Sequence, residues 1–107
     1  MINLWDKIKI EEISSIEKLV GEYNIWELKK TPYAKFKIKI YMSKDYMYKG
    51  YTNLQVRDQN GDYYSAVGYG KTEEEALDDT IQQFLKMLER KCEWNETDFC
   101  CVEPFDF

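Results

Sequence analysis

The chain has 107 residues, 44% of them hydrophobic and 16% aromatic, with a formal net charge of −5 and no histidine. That is one domain's worth of sequence (1–107, ending in an acidic aromatic tail at 92–107), with apolar material for one core and too many aromatics for disorder. Cys100 and Cys101 are adjacent and Cys92 stands alone, so free thiols are expected, with no metal site and no cofactor.

No apolar run reaches the ~18 residues that span a bilayer. The opening Met1–Asp6 has no basic stretch leading into an apolar one, so no leader, no membrane contact and a cytoplasmic location are expected. Charge is segregated along the chain. Residues 29–57 hold eight bases against Asp45 alone, residues 58–79 hold seven acids against Lys71, and the tail holds five acids and no base. Kept apart by the fold, these stretches make fields of opposite sign.

Ile13, Ile16, Leu19, Val20 and Tyr23 recur at helical spacing opposite Glu11, Glu12, Ser15, Glu17, Lys18 and Glu22. The spacing predicts an amphipathic helix over 10–23. Asn24–Lys30 fits helix or strand, and Thr31-Pro32 ends it. From Ala34 the period becomes two: Ala34, Phe36, Ile38, Ile40 and Met42 face one way and Lys35, Lys37, Lys39 and Tyr41 the other, as in a half-buried strand. Two further strands, Thr52–Asp58 and Tyr63–Gly70, flank Asn60-Gly61, the preferred pair for a two-residue type I′ turn. That turn would set Asp58 opposite Tyr63, Val56 opposite Ser65 and Leu54 opposite Val67. Thr72 with Glu75 three residues on forms a capping box, and Leu77, Ile81, Phe84, Leu85 and Leu88 make the buried stripe of a helix over 73–91. The tail's Trp94, Phe99, Val102, Phe105 and Phe107 predict a packed segment of unassigned form.

The resulting order, α-β-β-β-α, is an α+β fold: a three-stranded antiparallel sheet with helices packed on one face. The run 52–80, with Gly68, Gly70, Lys71, Thr72 and Ala76, resembles the second hairpin and helix start of the double-stranded-RNA-binding domain. The resemblance implies a dsRBD-like fold. It also implies duplex-phosphate contacts at the start of the last helix, where this chain carries Glu73 and Glu74, with Asp78 and Asp79 one turn on. Acids there oppose phosphate binding. The family's Gly-Pro-x-His loop is also missing from 43–50. A weaker similarity, to HicB-type antitoxins, rests on Gly68, Gly70, Thr72, Glu74, Glu75, Ala76 and Leu77; the expected N-terminal helix does not fit it.

No poised acid, base or nucleophile stands out, so no enzymatic activity is expected. Two surfaces are left. Glu73, Glu74, Asp78 and Asp79 suit a protein partner with a basic surface, in the manner of phage counter-defence inhibitors of the anti-CRISPR type, a class-level analogy. Lys35, Lys37, Lys39, Tyr41, Tyr51, Gln55, Arg57 and Tyr64 are expected on one sheet face, where bases interleaved with aromatics suit single-stranded nucleic acid. The plainer alternatives are a solvated helix end and a sheet face covered by the acidic tail. A non-enzymatic protein-binding module is the first expectation, a nucleic-acid binder the second and a HicB-like antitoxin the third. Pairing of two copies along the exposed sheet edge stays open.

Overall fold

The computed structural model describes residues 5–107; Met1–Leu4, on which the leader expectation partly rests, lie outside the described residues. After a 3-10 turn at Trp5–Lys7 come β1 (Glu17–Trp26), β2 (Lys35–Ser43), β3 (Tyr48–Arg57), β4 (Tyr63–Gly70), α1 (Glu73–Leu88), a second 3-10 turn at Glu96–Asp98 and β5 (Phe99–Cys101). The fold is α+β. The antiparallel sheet runs β1-β2-β3-β4, with β5 also paired to β3. The helix α1 lies on one face, mostly against β4 and β3. Among the described residues there are thus five strands and one α-helix, where three strands and two helices were expected. None of the helices is long and apolar enough to cross a membrane.

The predicted helix over 10–23 is not formed. Residues 17–26 are instead the edge strand β1, paired with β2 from Glu17↔Ser43 to Trp26↔Lys35. The cause is an irregularity between Leu19 and Gly21. A bulge adds one residue to a strand and breaks its strict alternation. Val20 and Tyr23 therefore both pack on the core while standing three apart, which reads as helical spacing. Beyond the bulge the alternation is clean, with Tyr23 and Ile25 half-buried and Glu22, Asn24 and Trp26 exposed.

The strand read from Ala34 is present and starts at Lys35. Ala34 itself has φ 60, and its carbonyl accepts from the Glu27 amide at 3.0 Å. Phe36, Ile38, Ile40 and Met42 are buried, as their alternation predicts.

The hairpin turns at Asn60-Gly61 but not as a two-residue type I′ turn. Only Gly61 has positive φ, at 87. The Gly61 amide donates to the Asp58 carbonyl at 3.2 Å and the Asp58 amide to the Asp62 carbonyl at 2.7 Å. This is a three-residue loop closed by an αL glycine. The Asp58 carboxylate accepts from the amides of Asn60 and Asp62, at 2.8 and 3.0 Å, which favours the longer loop. The pairing therefore shifts by one: Arg57 faces Tyr63, Val56 faces Tyr64 and Gln55 faces Ser65. Ala66 and Gly68, not Val67, point into the core.

That shift lets α1 approach closely. Thr80 is fully buried and its hydroxyl donates to the Ala76 carbonyl at 2.7 Å. A methyl group at Gly68 would come within 2.6 Å of the Thr80 Cα, so only glycine fits there. Phe84 fills the centre, its ring centroid 4.4 Å from that of Phe36.

Thr72 caps α1 as predicted, its hydroxyl accepting from the Glu75 amide at 3.1 Å. The Glu75 carboxylate reaches back to the Lys71 amide at 2.8 Å, one residue beyond the Thr72 amide that a capping box would engage. The helix stops at Leu88, not at Lys91, and Leu85 is exposed. The Leu88 carbonyl accepts from the Trp94 indole at 3.0 Å and from Lys30 Nζ at 3.3 Å, so the chain folds back where the helix would have continued. The tail is packed through β5, where Phe99 is buried beside Trp94. Asn53 marks the switch of partners along β3: its side chain accepts from the Lys37 amide at 2.7 Å and its carbonyl from the Val102 amide at 2.8 Å.

Candidate functional site

With α1 on one side, the end of the tail reaches the other face of the sheet at Lys39 and Tyr41. Cross-strand pairs fix what this face shows, because partners in register share a side. Lys35 stands opposite Trp26, Lys39 between Glu22 and Tyr51, Tyr41 opposite Lys49, and Lys49 opposite Tyr69. The lysines are engaged within the chain. Lys35 lies 5.6 Å from the Trp26 ring centroid. Lys37 and Lys39 both sit 3.9 Å from the Glu22 carboxylate. Lys49 lies 4.9 Å from the Tyr51 ring and 5.6 Å from that of Tyr69, and Tyr41 meets Tyr51 edge-on at 6.0 Å. Such cation–ring contacts contribute about 0.5–1 kcal/mol each at exposed positions.

The tail closes over the middle of this face. Phe107 lies over Lys39 at 4.5 Å, and its carbonyl accepts from Lys39 Nζ at 3.4 Å and from the Tyr41 hydroxyl at 3.3 Å. A groove of about 320 Å³ remains, lined by Glu17, Tyr41, Tyr51, Ser65, Val102 and Phe107 among others. Burial pushes the Tyr41 hydroxyl above its ordinary pKa, with Glu17 adding to it.

The residues predicted for this face do not all lie on it. Lys35, Lys37, Lys39 and Tyr41 do. Tyr64 does not: opposite Val56, it is on the helix side. Arg57, next to Val56 and opposite Tyr63, alternates back to the open face, while its carbonyl accepts from the Arg90 guanidinium beside a cleft that Tyr64 and Lys86 also line. Trp26, Lys49, Tyr69 and Phe107 belong to the open face and were not singled out from sequence. Correct strand phases would have found Lys49 and Tyr69.

The acidic quartet is also divided. The Tyr23 hydroxyl donates to Glu73, and this bond, with burial next, raises the Tyr23 pKa. Asp79 accepts from the Tyr69 amide at 2.8 Å and from the Gln83 side chain at 3.3 Å, binding α1 to the edge of β4. Glu73 and Asp79 are half-buried, whereas Glu74 and Asp78 are exposed one turn apart. The ion pairs among the described residues are Lys37–Glu22, Lys39–Glu22 and Lys91–Asp98, and neither Glu74 nor Asp78 is in one.

The three cysteines are free and exposed. Among the described residues no group of three potential ligands is placed to hold a metal ion. Comparison with protein-family models, with curated proteins and with solved structures returned no match.

Proposed function

We propose that the chain is a non-enzymatic protein-binding module whose exposed acids engage a partner with a basic surface. One observation carries this reading. The lysine strip is answered within the molecule by Glu22, Trp26, Tyr51, Tyr69 and the tail. Glu74 and Asp78, by contrast, sit in none of the ion pairs of the described residues, on a chain of net charge −5. The net charge of −5 gives the chain an overall negative field, and such a field steers basic surfaces toward it. Nucleic-acid-handling proteins present surfaces of that kind, as the dsRBD-like run 52–80 and the counter-defence analogy also suggest. Of the four acids, Glu74 and Asp78 would make the contact, with Glu73 and Asp79 holding the helix to the sheet. A fluorescent lysine-rich peptide is the probe. Glu74→Lys with Asp78→Lys should weaken its binding by roughly fivefold to tenfold at low salt, and an unchanged affinity overturns the reading.

A second reading has its own support: Lys49 between Tyr51 and Tyr69, and Lys35 over the exposed Trp26, form a stacking platform for single-stranded nucleic acid. Gel-shift titrations with single-stranded and duplex RNA and DNA at two salt concentrations separate the two. A shift that weakens with salt favours this reading over the first; no shift at low salt removes it. A third reading is a HicB-like antitoxin, on the similarity of Gly68, Gly70, Thr72, Glu74, Glu75, Ala76 and Leu77. That reading calls for a small toxin as the partner.

A further inference from the structure

The tail and the cleft on the helix side have complementary chemistry. Phe105 is 98% exposed, yet it does not sit on loose chain. The amides of Asp106 and Phe107 both donate to the Glu103 carbonyl, at 2.9 and 3.1 Å, and Phe107 is anchored on Lys39 and Tyr41. The turn therefore holds a phenyl ring out in water between the carboxylates of Glu103 and Asp106. Much of the free energy available from burying a phenylalanine is unrealised. A ring on an ordered turn also loses little freedom on docking, which is what an interface anchor requires.

The cleft lies between the β3–β4 hairpin and the C-terminal half of α1. It has a volume of about 230 Å³ and is lined by Val56, Met87 and Tyr64 together with Arg57, Lys86 and Arg90; the Arg90 guanidinium also donates to the Arg57 carbonyl and lies 5.2 Å from the Trp94 ring centroid. The one carboxylate on its rim, Asp58, already accepts two backbone amides. An apolar cleft with Lys86 and Arg90 at its edge matches a ring flanked by acids. The two features are on opposite faces of the sheet, so a chain with Phe107 docked cannot fill its own cleft.

We propose that Phe105 of one copy inserts into the Val56–Tyr64–Met87 cleft of a second copy, with Glu103 and Asp106 facing its Lys86 and Arg90. The contact joins different surfaces, so it runs head to tail. Its small area puts it in the weak, transient class.

The test is sedimentation velocity on the full chain from micromolar to millimolar concentration. The average mass of the wild type should rise with concentration. Phe105→Ala should weaken association by about thirtyfold; the residue is fully exposed, so its removal leaves the core intact. Lys86→Glu, also at an exposed position, should have the same direction of effect. A mixture of the two variants carries the distinguishing result. One supplies the cleft and the other the turn, so together they form a single one-to-one dimer and nothing larger. Phe105→Trp should retain association, and its indole emission should shift to the blue as concentration rises. A wild type that stays monomeric at millimolar concentration overturns the proposal. So does association that survives Phe105→Ala, which would point to pairing of sheet edges, or a mixture no heavier than the monomer.

Discussion

Asp98 shows how far a single side chain can depart from what its place in the sequence suggests. It stands among the five acids of the aromatic tail, yet it is only 6% exposed. Its carboxylate accepts from the Asn95 amide at 2.8 Å and pairs with Lys91 at 2.9 Å. The Asn95 amide first, and Lys91 second, hold its pKa below the ordinary aspartate value. The partner is seven residues back, across an irregular segment where no periodicity applies, so the pairing is invisible without the fold. The depressed pKa fixes the sign of its pH dependence. The unfolded carboxyl takes up its proton at higher pH than the folded one, so its stabilisation is fully present above the unfolded value. That stabilisation is lost as pH falls through the folded value. Asp98→Asn keeps the shape and removes the charge. It should lower stability by about 1–2 kcal/mol at neutral pH, with the gap closing as pH falls through the folded value. Urea melts of both proteins across that range provide the check, and a gap independent of pH would exclude the electrostatic account.

At the scale of elements, legibility followed how local the determining interaction is. The Thr72 cap and the stripe Leu77, Ile81, Phe84 and Leu88 were readable because a helix is specified within a few residues of itself. Phe36 to Met42 was readable because its alternation is unbroken. The failures share one cause. In β1 a bulge inserts a residue, and in the β3–β4 hairpin a third loop residue does the same; each shifts the phase of the side chains beyond it. The first shift made a strand look helical. The second moved Tyr64 to the helix side and put Ala66 and Gly68 where larger residues were expected, which gives Thr80 its room. The basic sheet face was therefore legible along β2, with its regular alternation, and misassigned at Tyr64. The cap gives a prediction at this scale. Thr72→Ala leaves the Glu75 amide without its acceptor and should cost about 1 kcal/mol. A lower urea midpoint with an unchanged slope is the expected result.

Across the whole molecule, the basic stretch and the acidic tail meet where the sequence placed them far apart. Phe107 lies sixty-eight positions beyond Lys39, yet the lysine's ammonium meets both the ring and the carbonyl of Phe107 and holds the 103–107 turn against the sheet. Fixing that turn determines both how much of the Lys/Tyr face is open and whether Phe105 projects as a rigid anchor. Lys39 is therefore the position where the two surfaces are coupled. Lys39→Glu sets a carboxylate beside Glu22 and the Phe107 carbonyl and should release the tail without unfolding the sheet, since a partly exposed pair contributes at most about 1 kcal/mol. Backbone amide exchange at Asp106 and Phe107 should accelerate by an order of magnitude or more, while the amides of β2 and β3 keep their protection. The same variant should weaken any association that depends on Phe105, because a free tail must be ordered again on docking. If exchange at Phe107 stays slow in Lys39→Glu, the tail is held by β5 alone and the lysine–phenylalanine contact does not anchor it.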